Sequence, residues 1–399
     1  MIRAEIFDFQ FNRLGSIEQF KSISYTKKYQ DIGSFSLICP ITDTNNDLLQ
    51  KRRIIWIEDN VAGIIQYISK KREEGEDETL EVKGKLISEV LSWRWVYPCF
   101  VKTGKPNALM EQLVNTHCVN PLDSKRKLDS LIIGSKGEIT NMDSVTYQKT
   151  GDSVTESLIN LATANNLGFD VEFNPRIENK LKFVVYQGAD RTVNNKSGND
   201  PVYFTQSLNN LLSAEYTYND ESFRNVELVA GEAEDGTDNE NAKRRVLEVY
   251  LNDKSKANAG YDRYEKFVDA RDLQSEYSEE QTTTDEDGNH VTETVEKKMP
   301  DEQYFETLKQ RGNEKFEEST VEESYTGSIR TDSKTIFQYK EDYDVGDKVT
   351  VIDNEFAISM DVVITEMTVT YDKDLYTYQP TFGVGIPTIL KKIQRSKRR

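Results

Sequence analysis

Residues 341–385 read EDYDVGDKVTVIDNEFAISMDVVITEMTVTYDKDLYTYQPTFGVG. Between Val345 and Val351 every second residue is placed to face the same side, which is the period of a β-strand. Asp353-Asn354-Glu355 then predicts a turn, and a second alternating strand starts at Phe356. The end of the chain is therefore predicted to be an antiparallel sheet.

The second of these strands changes phase along its length. Its apolar side is carried by even-numbered residues from Phe356 to Ile364 and by odd-numbered residues from Met367 to Tyr371. One residue near Thr365-Glu366 must be absorbed, most simply by a β-bulge. Because a bulge bends its strand, we expect the sheet to curl into a small barrel with partner strands from much earlier in the chain.

The same stretch resembles the C-terminal signature of siphophage tail-associated (Tal-type) baseplate hub proteins, which share a fold with the hubs of contractile tails. The resemblance covers most of the chain. It is carried by short runs in a fixed order, at residues 61–65, 268–273, 308–312, 342–343, 345–351, 364–366 and 381–383.

The resemblance implies a mainly β fold with α+β parts, in which two small β-barrel domains per chain alternate around a trimeric ring. It implies a first barrel over residues 1–100, an α+β domain over 101–200 and a second barrel over 201–385. An inserted excursion of helix and hairpin occupies about 231–325, and a basic tail occupies 386–399. Strand periodicity alone predicts only two β-rich regions separated by a mixed one.

The totals limit the classes of function. The chain has 399 residues, which predicts two to four domains, and a formal net charge of −18, which opposes binding along DNA phosphates. No run of about 18 apolar residues occurs, so no membrane-spanning helix is expected. The alternating N-terminus with Glu5 and Asp8 is unlike a signal peptide. Three widely spaced cysteines predict reduced thiols in a chain made in the cytosol.

The first hundred residues read as short strands with turn signals between them. The predicted strands contain Phe7, Phe9 and Phe11; Phe35, Leu37 and Cys39; residues 53–58 and 63–69, which flank a turn at Asp59-Asn60; and residues 80–87.

The middle of the chain alternates helices and strands. Pro106 predicts the first turn of a helix, and Ser153 with Glu156 has the spacing of a capping box that opens another. Gly168 is predicted to end that second helix in a left-handed turn. Residues 169–173 and 181–186 are then predicted to pair.

The second half contains the predicted excursion. Residues 246–251 read as a strand, residues 281–298 as an exposed hairpin, and Pro300 opens a helix that extends to about Glu317. Residues 231–241 are acidic and predict a loop. The basic C-terminal tail is interpreted either as a frayed terminus or as an arm that reaches an acidic surface.

Trp93 and Trp95 are spaced by two, with Arg94 between them. Their rings could stack a sugar or a base. We favour the interpretation that they are large apolar anchors at a domain edge.

Motifs of catalysis are absent, and no catalytic, cofactor-binding or metal-binding residue is assigned. His117 adjoins Cys118 without a second pair at zinc spacing, and His290 has no nucleophile nearby. Residues 134–137 (GSKG) lack the spacing of a phosphate-binding loop and predict a surface turn. The acidic runs 232–240 and 285–287 lack calcium-ligand spacing and predict solvated loops.

The sequence therefore predicts a structural protein: a trimeric baseplate or tail-tip hub of a phage tail, not an enzyme. It would lie at the distal end of the virion tail and close the tail tube. It would contact the distal tail ring, the tape-measure protein and the tip or receptor-binding proteins, and open for the tape measure and for DNA in transit. The alternative is a cell-wall hydrolase, whose paired carboxylates sequence cannot place, or a carbohydrate-binding adhesin.

Overall fold

The computed structural model describes residues 3–72, 78–139, 142–234, 242–284, 290–316, 319, 321–329, 335–372 and 375–383. The protein is mainly β, with shorter helical parts. The helices are α1 (Asp43–Leu48), α2 (Pro106–Val114), which a π-helical turn at Asn115–Val119 extends, α3 (Val154–Ala164) and α4 (Asp301–Phe316). The basic tail at 386–399 lies outside the described residues.

The strands follow one another in short connections over most of the chain. In the first half they are β1 (Ala4–Phe7), β2 (Arg13–Ile17), β3 (Ser22–Lys28), β4 (Ser34–Pro40), β5 (Ile54–Glu58), β6 (Val61–Lys71), β7 (Thr79–Leu86), β8 (Phe100–Gly104), β9 (Leu131–Ile133), β10 (Val145–Lys149), β11 (Gly168–Glu172) and β12 (Leu181–Tyr186). In the second half they are β13 (Tyr203–Thr205), β14 (Leu211–Asn219), β15 (Val226–Ala233), β16 (Arg244–Tyr250), β17 (Glu265–Asp269), β18 (Glu276–Thr284), β19 (His290–Lys298), β20 (Glu322–Ile329), β21 (Lys348–Asp353), β22 (Ile358–Asp372) and β23 (Leu375–Gly383).

The largest sheet contains strands from both ends of the chain. Its order is β14-β20-β23-β22-β3-β4-β7-β6-β5-β1-β2, with β21 paired to β22 and β13 paired to β21. The junction is the antiparallel pair of β3 and β22, where Tyr25 lies opposite Val369. Across the same junction the hydroxyls of Thr26 and Thr368 are 2.8 Å apart.

This junction corrects the prediction of two separate β-barrel domains. No sheet in the described ranges closes into a barrel, since the strand order of the main sheet ends at β14 on one side and at β2 on the other. The reason is that the edge of β3 is occupied by β22, so the first third of the chain does not close on itself. One core accordingly mixes residues from both thirds, such as Leu37 and Val82 with Val349 and Phe382.

The predicted bulge is confirmed. Between β22 and β23 the register shifts after Ile364, and the next partner pair starts at Glu366. The buried side chains of β22 change from an even position, Ile364, to odd positions, Met367 and Val369, on the two sides of the shift. The residue left over is Thr365, whose carbonyl accepts the N–H of Tyr29 at 2.9 Å.

Several local predictions are also confirmed, because each depended on a turn or cap read directly from the residues. The Ser153 hydroxyl accepts the N–H of Glu156 at 3.1 Å and caps α3. The confirmed strand pairs are β5 with β6, β11 with β12 and β18 with β19. The side chains of β4 alternate as expected, and α4 begins directly after Pro300.

Two local predictions are wrong. The strand through Phe7 ends at that residue, because the Asp8 carboxylate accepts the N–H groups of Gln10 and Asn12 (2.9 Å each) and turns the chain, leaving Phe11 with a φ of 61°. The left-handed residue after α3 is Asn166, with a φ of 49°. Gly168 is instead the first residue of β11.

Residues 226–316 form a small unit with its own core. β15 pairs with β16 and β17, and Tyr304 and Leu308 of α4 pack beside Val229 in that core. The unit contacts the middle of the chain where α4 packs on β10. Beside that contact the Gln148 amide donates to the carbonyl of Gln274 at 3.1 Å.

Charged side chains are also buried inside this unit, on α4. The Arg311 guanidinium binds both carboxylate oxygens of Asp272, at 2.9 and 2.7 Å. Its Nε lies 3.9 Å from Oε2 of the buried Glu314. Burial raises the pKa of Glu314, and the charges of Arg311 and Lys149 oppose that rise. Arg311 therefore compensates two carboxylates, one of them removed from water.

Tyr29 joins three separate parts of the chain. Its backbone N–H reaches the bulge of β22, and its hydroxyl donates to the carbonyl of Asn166 at 2.9 Å. Its ring packs where a side chain at Gly168 or Gly346 would otherwise lie. The ring of Tyr186 meets it edge-on, with centroids 5.6 Å apart.

Gly346→Ala is expected to destabilise the protein by about 2–4 kcal/mol, and Gly137→Ala by about 1 kcal/mol. Both glycines have a positive φ, 100° and 89°, so both substitutions strain the backbone. A Cβ at position 346 would also lie 2.5 Å from the Tyr29 ring, whereas nothing lies within 4 Å of one at position 137. Urea unfolding measures both losses, and equal losses would contradict this packing.

Arg311→Met is expected to reduce the free energy of unfolding by about 3 kcal/mol, because it leaves Glu314 buried without its partner cation. Adding Glu314→Gln is expected to restore part of that loss. Arg271→Met is the matched control: its ion pair with Asp269 is largely exposed, so a change below about 1 kcal/mol is expected. Denaturant midpoints that fall equally for Arg311→Met and the control would show that the burial of Arg311 is without consequence.

Candidate functional site

The residues considered for catalysis are not brought together. His117 is buried beside the ring of Phe100, and burial, with a smaller effect of Arg126, lowers its pKa to about 4. His290 begins β19 in the separate unit of residues 226–316. Burial raises the pKa of Cys118 to about 12, which keeps the thiol protonated at neutral pH. Neither His117 nor Cys118 has the exposure that a general base or a nucleophile requires.

The next candidates are the loops considered for binding phosphate or calcium. Residues 134–137 form an exposed bend that no helix follows, which confirms the predicted surface turn. Most of the acidic runs 232–240 and 285–287 lies outside the described residues. Among the residues that the structure does describe, no three His, Cys, Asp or Glu side chains are grouped to hold a metal ion. Within the same ranges, no helix has the length and apolar character needed to cross a bilayer.

An exposed group of aromatic and basic side chains is the most distinctive surface feature. Trp93, Trp95 and Tyr97 are 38%, 55% and 68% exposed. Together with basic residues they line a groove of about 360 Å³. We call this the aromatic–cationic surface; it consists of Trp93, Arg94, Trp95, Tyr97, Lys125 and Arg126.

The backbone of residues 94–97 is extended and pinned from behind. Val96 is fully buried, which turns its neighbours Trp95 and Tyr97 outward because side chains alternate in extended chain. The N–H of Val96 donates to the carbonyl of Asp152 at 2.8 Å, and the N–H of Val154 donates to the carbonyl of Arg94 at 2.8 Å. The start of α3 therefore sets the position of both aromatic rings.

Arg126 holds the loop that forms the second side of the groove. Its guanidinium donates to the carbonyl oxygens of Trp95 and Tyr97, and the Arg94 guanidinium donates to the carbonyl of Arg126. The two loops thus hold each other through charge-assisted bonds to backbone.

The interpretation of the tryptophans as apolar anchors is wrong for Trp95, whose ring is mainly in solvent. The interpretation fits Trp93 in part, because its ring contacts that of Phe9 with centroids 5.6 Å apart. Sequence reasoning missed Lys125 and Arg126, because about thirty residues separate them from the tryptophans and no local pattern links the two loops. The repeated basic residues of 125–127 (KRK) were the available signal.

A second groove crosses the main sheet over β3, β4, β6 and β7 and is lined mostly by hydroxyl, amide and lysine side chains. Neither this groove nor the aromatic–cationic surface is lined by a carboxylate. The carboxylate pair that a glycoside hydrolase needs is therefore missing from both.

Both the sequence and the fold have relatives among known proteins. The sequence matches the Siphovirus ReqiPepy6 Gp37-like protein family over residues 3–384. The chain belongs to this family. The resemblance seen in the sequence is thereby confirmed at the level of a siphovirus family. A comparison with curated proteins found no match.

Three solved structures similar in fold to this family member are tail proteins, two of them from prophages. A tail protein from Neisseria meningitidis MC58 is 11% identical, with a TM-score of 0.54 and 96% of each chain covered. The prophage tail protein gp18 from Listeria monocytogenes EGD-e is 10% identical, with a TM-score of 0.54 and coverage of 99% of this chain and 98% of that one. The 43 kDa tail protein of prophage MuSo2 from Shewanella oneidensis is 10% identical, with a TM-score of 0.52 and coverage of 96% and 98%. These likenesses show a shared fold.

Trp95→Ala is expected to change the free energy of unfolding by less than about 1 kcal/mol, because its ring is mainly in solvent. Trp56→Ala is the matched control. The Trp56 ring is 3% exposed and its Nε1 donates to the carbonyl of Asp59 at 2.9 Å, so a loss of about 3–5 kcal/mol is expected. Equal losses in denaturant unfolding would mean that Trp95 is an anchor after all.

Proposed function

We propose that the protein is the baseplate or tail-tip hub of a phage tail, located at the distal end of the tail in the virion. Two findings support this: membership of a siphovirus family over nearly the whole chain, and a fold shared end to end with phage tail proteins. The lack of carboxylates in both grooves supports a structural role rather than an enzymatic one.

In this proposal three copies form a ring, and the β-rich parts of the three chains alternate around it. The observation that carries the ring is the open end of the main sheet. Strand order ends at β14, which pairs with β20 on one side and with no other described strand on the other. A closed cyclic assembly joins such an end to a different surface of the neighbouring copy.

The side chains of β14 fit a covered strand better than a solvated one. Leu212, which falls at a register shift in the strand, and Tyr218 are both more than half exposed. A nine-residue edge strand with exposed apolar side chains is a site of unwanted pairing unless another surface covers it. We infer that the neighbouring copy of the hub covers this strand.

The assembled ring would close the tail tube and connect it to the distal tail ring and to the tip or receptor-binding proteins. It would open for the tape-measure protein and for DNA. The net charge of −18 supports passage without retention, because a like-charged wall does not hold a polyanion. The function is mechanical and needs no cofactor.

Leu212→Glu with Tyr218→Glu is expected to convert a trimer of the full chain into monomers, since two charges would have to be buried in the contact. Analytical ultracentrifugation measures the mass of each species. The matched control is Ile177→Glu, which places a charge at an exposed apolar residue of a turn outside the sheet, and which should remain trimeric.

A wild-type chain that stays monomeric at high micromolar concentration would contradict the ring. Turnover of purified peptidoglycan by that monomer would instead indicate a cell-wall hydrolase, and retention on insoluble cell walls without turnover would indicate an adhesin.

A further inference from the structure

The aromatic–cationic surface carries positive charge that no carboxylate of the described ranges neutralises. Arg94 and Arg126 donate to backbone carbonyls, and Lys125 is exposed without an ion pair in those ranges. Asp123 is the nearest acid in sequence, and its Oδ1 accepts the N–H of Lys125 at 2.9 Å to cap a short helical turn. Three cations in one groove are a local exception on a chain of net charge −18.

Hydrogen bonds within the protein hold both arginines of the groove in place. Each guanidinium has five N–H donors, and Arg94 and Arg126 each use two of them on backbone carbonyls, which leaves the remaining donors for an incoming anion. The aromatic rings are set by the backbone bonds to the start of α3. A preformed surface of this kind loses little conformational entropy when it binds.

The composition of the surface points to protein as the binding partner. Trp, Tyr and Arg are the residues that carry most of the binding energy at protein interfaces. A long polyanion such as a nucleic acid would be repelled by the net charge of the chain, whereas a short acidic segment meets the local charge. A neutral sugar would need several side-chain acceptors for its hydroxyl groups, and among the residues that line this groove only the Tyr97 hydroxyl accepts.

We propose that the aromatic–cationic surface binds an acidic segment of a different polypeptide, in which Asp or Glu side chains alternate with apolar ones. The carboxylates would meet Arg94, Lys125 and Arg126, and the apolar side chains would pack on Trp95 and Tyr97. This contact uses no residue of β14, so it is independent of the proposed ring.

The test is selection of peptides from a random 12-residue display library on the full-length wild-type protein, with counter-selection on a Trp95→Ala, Lys125→Ala variant. Neither substituted side chain makes a hydrogen bond in the described structure, so the variant is expected to fold. Enriched sequences are expected to carry Asp or Glu next to apolar residues. Enrichment without that acidic bias, or no enrichment over the counter-selection, would overturn the proposal.

Fluorescence anisotropy of one selected peptide then measures each contribution. Trp95→Ala is expected to weaken binding about tenfold and Lys125→Ala about threefold, with affinity falling as salt rises. Lys127→Ala is the matched control, because Lys127 is a neighbouring exposed lysine outside the groove that lies 3.7 Å from Asp129; it should bind as the wild type does.

Other occupants give different results. Tighter binding of oligodeoxythymidine or of poly(glycerol phosphate) than of the peptide, lost in the Trp95→Ala, Lys125→Ala variant, would assign the surface to a polyanion and overturn the proposal. A change in oligomeric state of that variant would assign the surface to a second copy of this chain and would also overturn it. Failure of the ring prediction leaves these results unaffected.

Discussion

The antiparallel pairing of β3 with β22 is the contact on which the rest of the structure depends. It joins the two ends of the chain into one sheet, and it pairs β3 with Glu366–Asp372 of β22. The bulge in β22 serves this junction directly, because the carbonyl that it frees accepts the N–H of Tyr29. Tyr29 then carries the connection on to the middle of the chain through Asn166. A local irregularity in one strand thus positions three parts of the molecule.

The two surfaces proposed to bind partners, β14 and the aromatic–cationic surface, lie on the outside of this framework. The unit of residues 226–316 contacts the middle of the chain where α4 packs on β10, and the Gln148 amide donates to the carbonyl of Gln274 beside that contact. The unit retains its own small core, and the bidentate pair of Arg311 and Asp272 lies within it. The aromatic–cationic surface and β14 both carry exposed apolar side chains. Such an arrangement fits the proposed role of a protein that binds other proteins.

Features that are set by neighbouring residues could be predicted from the sequence, whereas features that depend on residues far apart in the chain could not. The bulge near Thr365, the cap at Ser153 and the hairpins were predictable, since each is set by residues a few positions apart. The turn after Phe7 was missed because the carboxylate of Asp8 competes with the strand for backbone N–H groups, which apolar alternation does not reveal. Closure into two barrels was inferred wrongly, because periodicity shows that a strand has a buried face but not which strand occupies its edge. The groove around Trp95 combines two loops, and only the fold brings them together.

The pairing of β3 with β22 also sets the order of events during synthesis. Residues 22–28 leave the ribosome well before their partners at 366–372, which lie roughly 340 residues further along the chain. At about 5–20 residues per second, β3 waits roughly 20–70 s with an unsatisfied edge. Loop closure over nearly the whole chain makes this a slow, late step. Until β22 emerges, the edge of β3 is open to other strands and is a site of unwanted pairing.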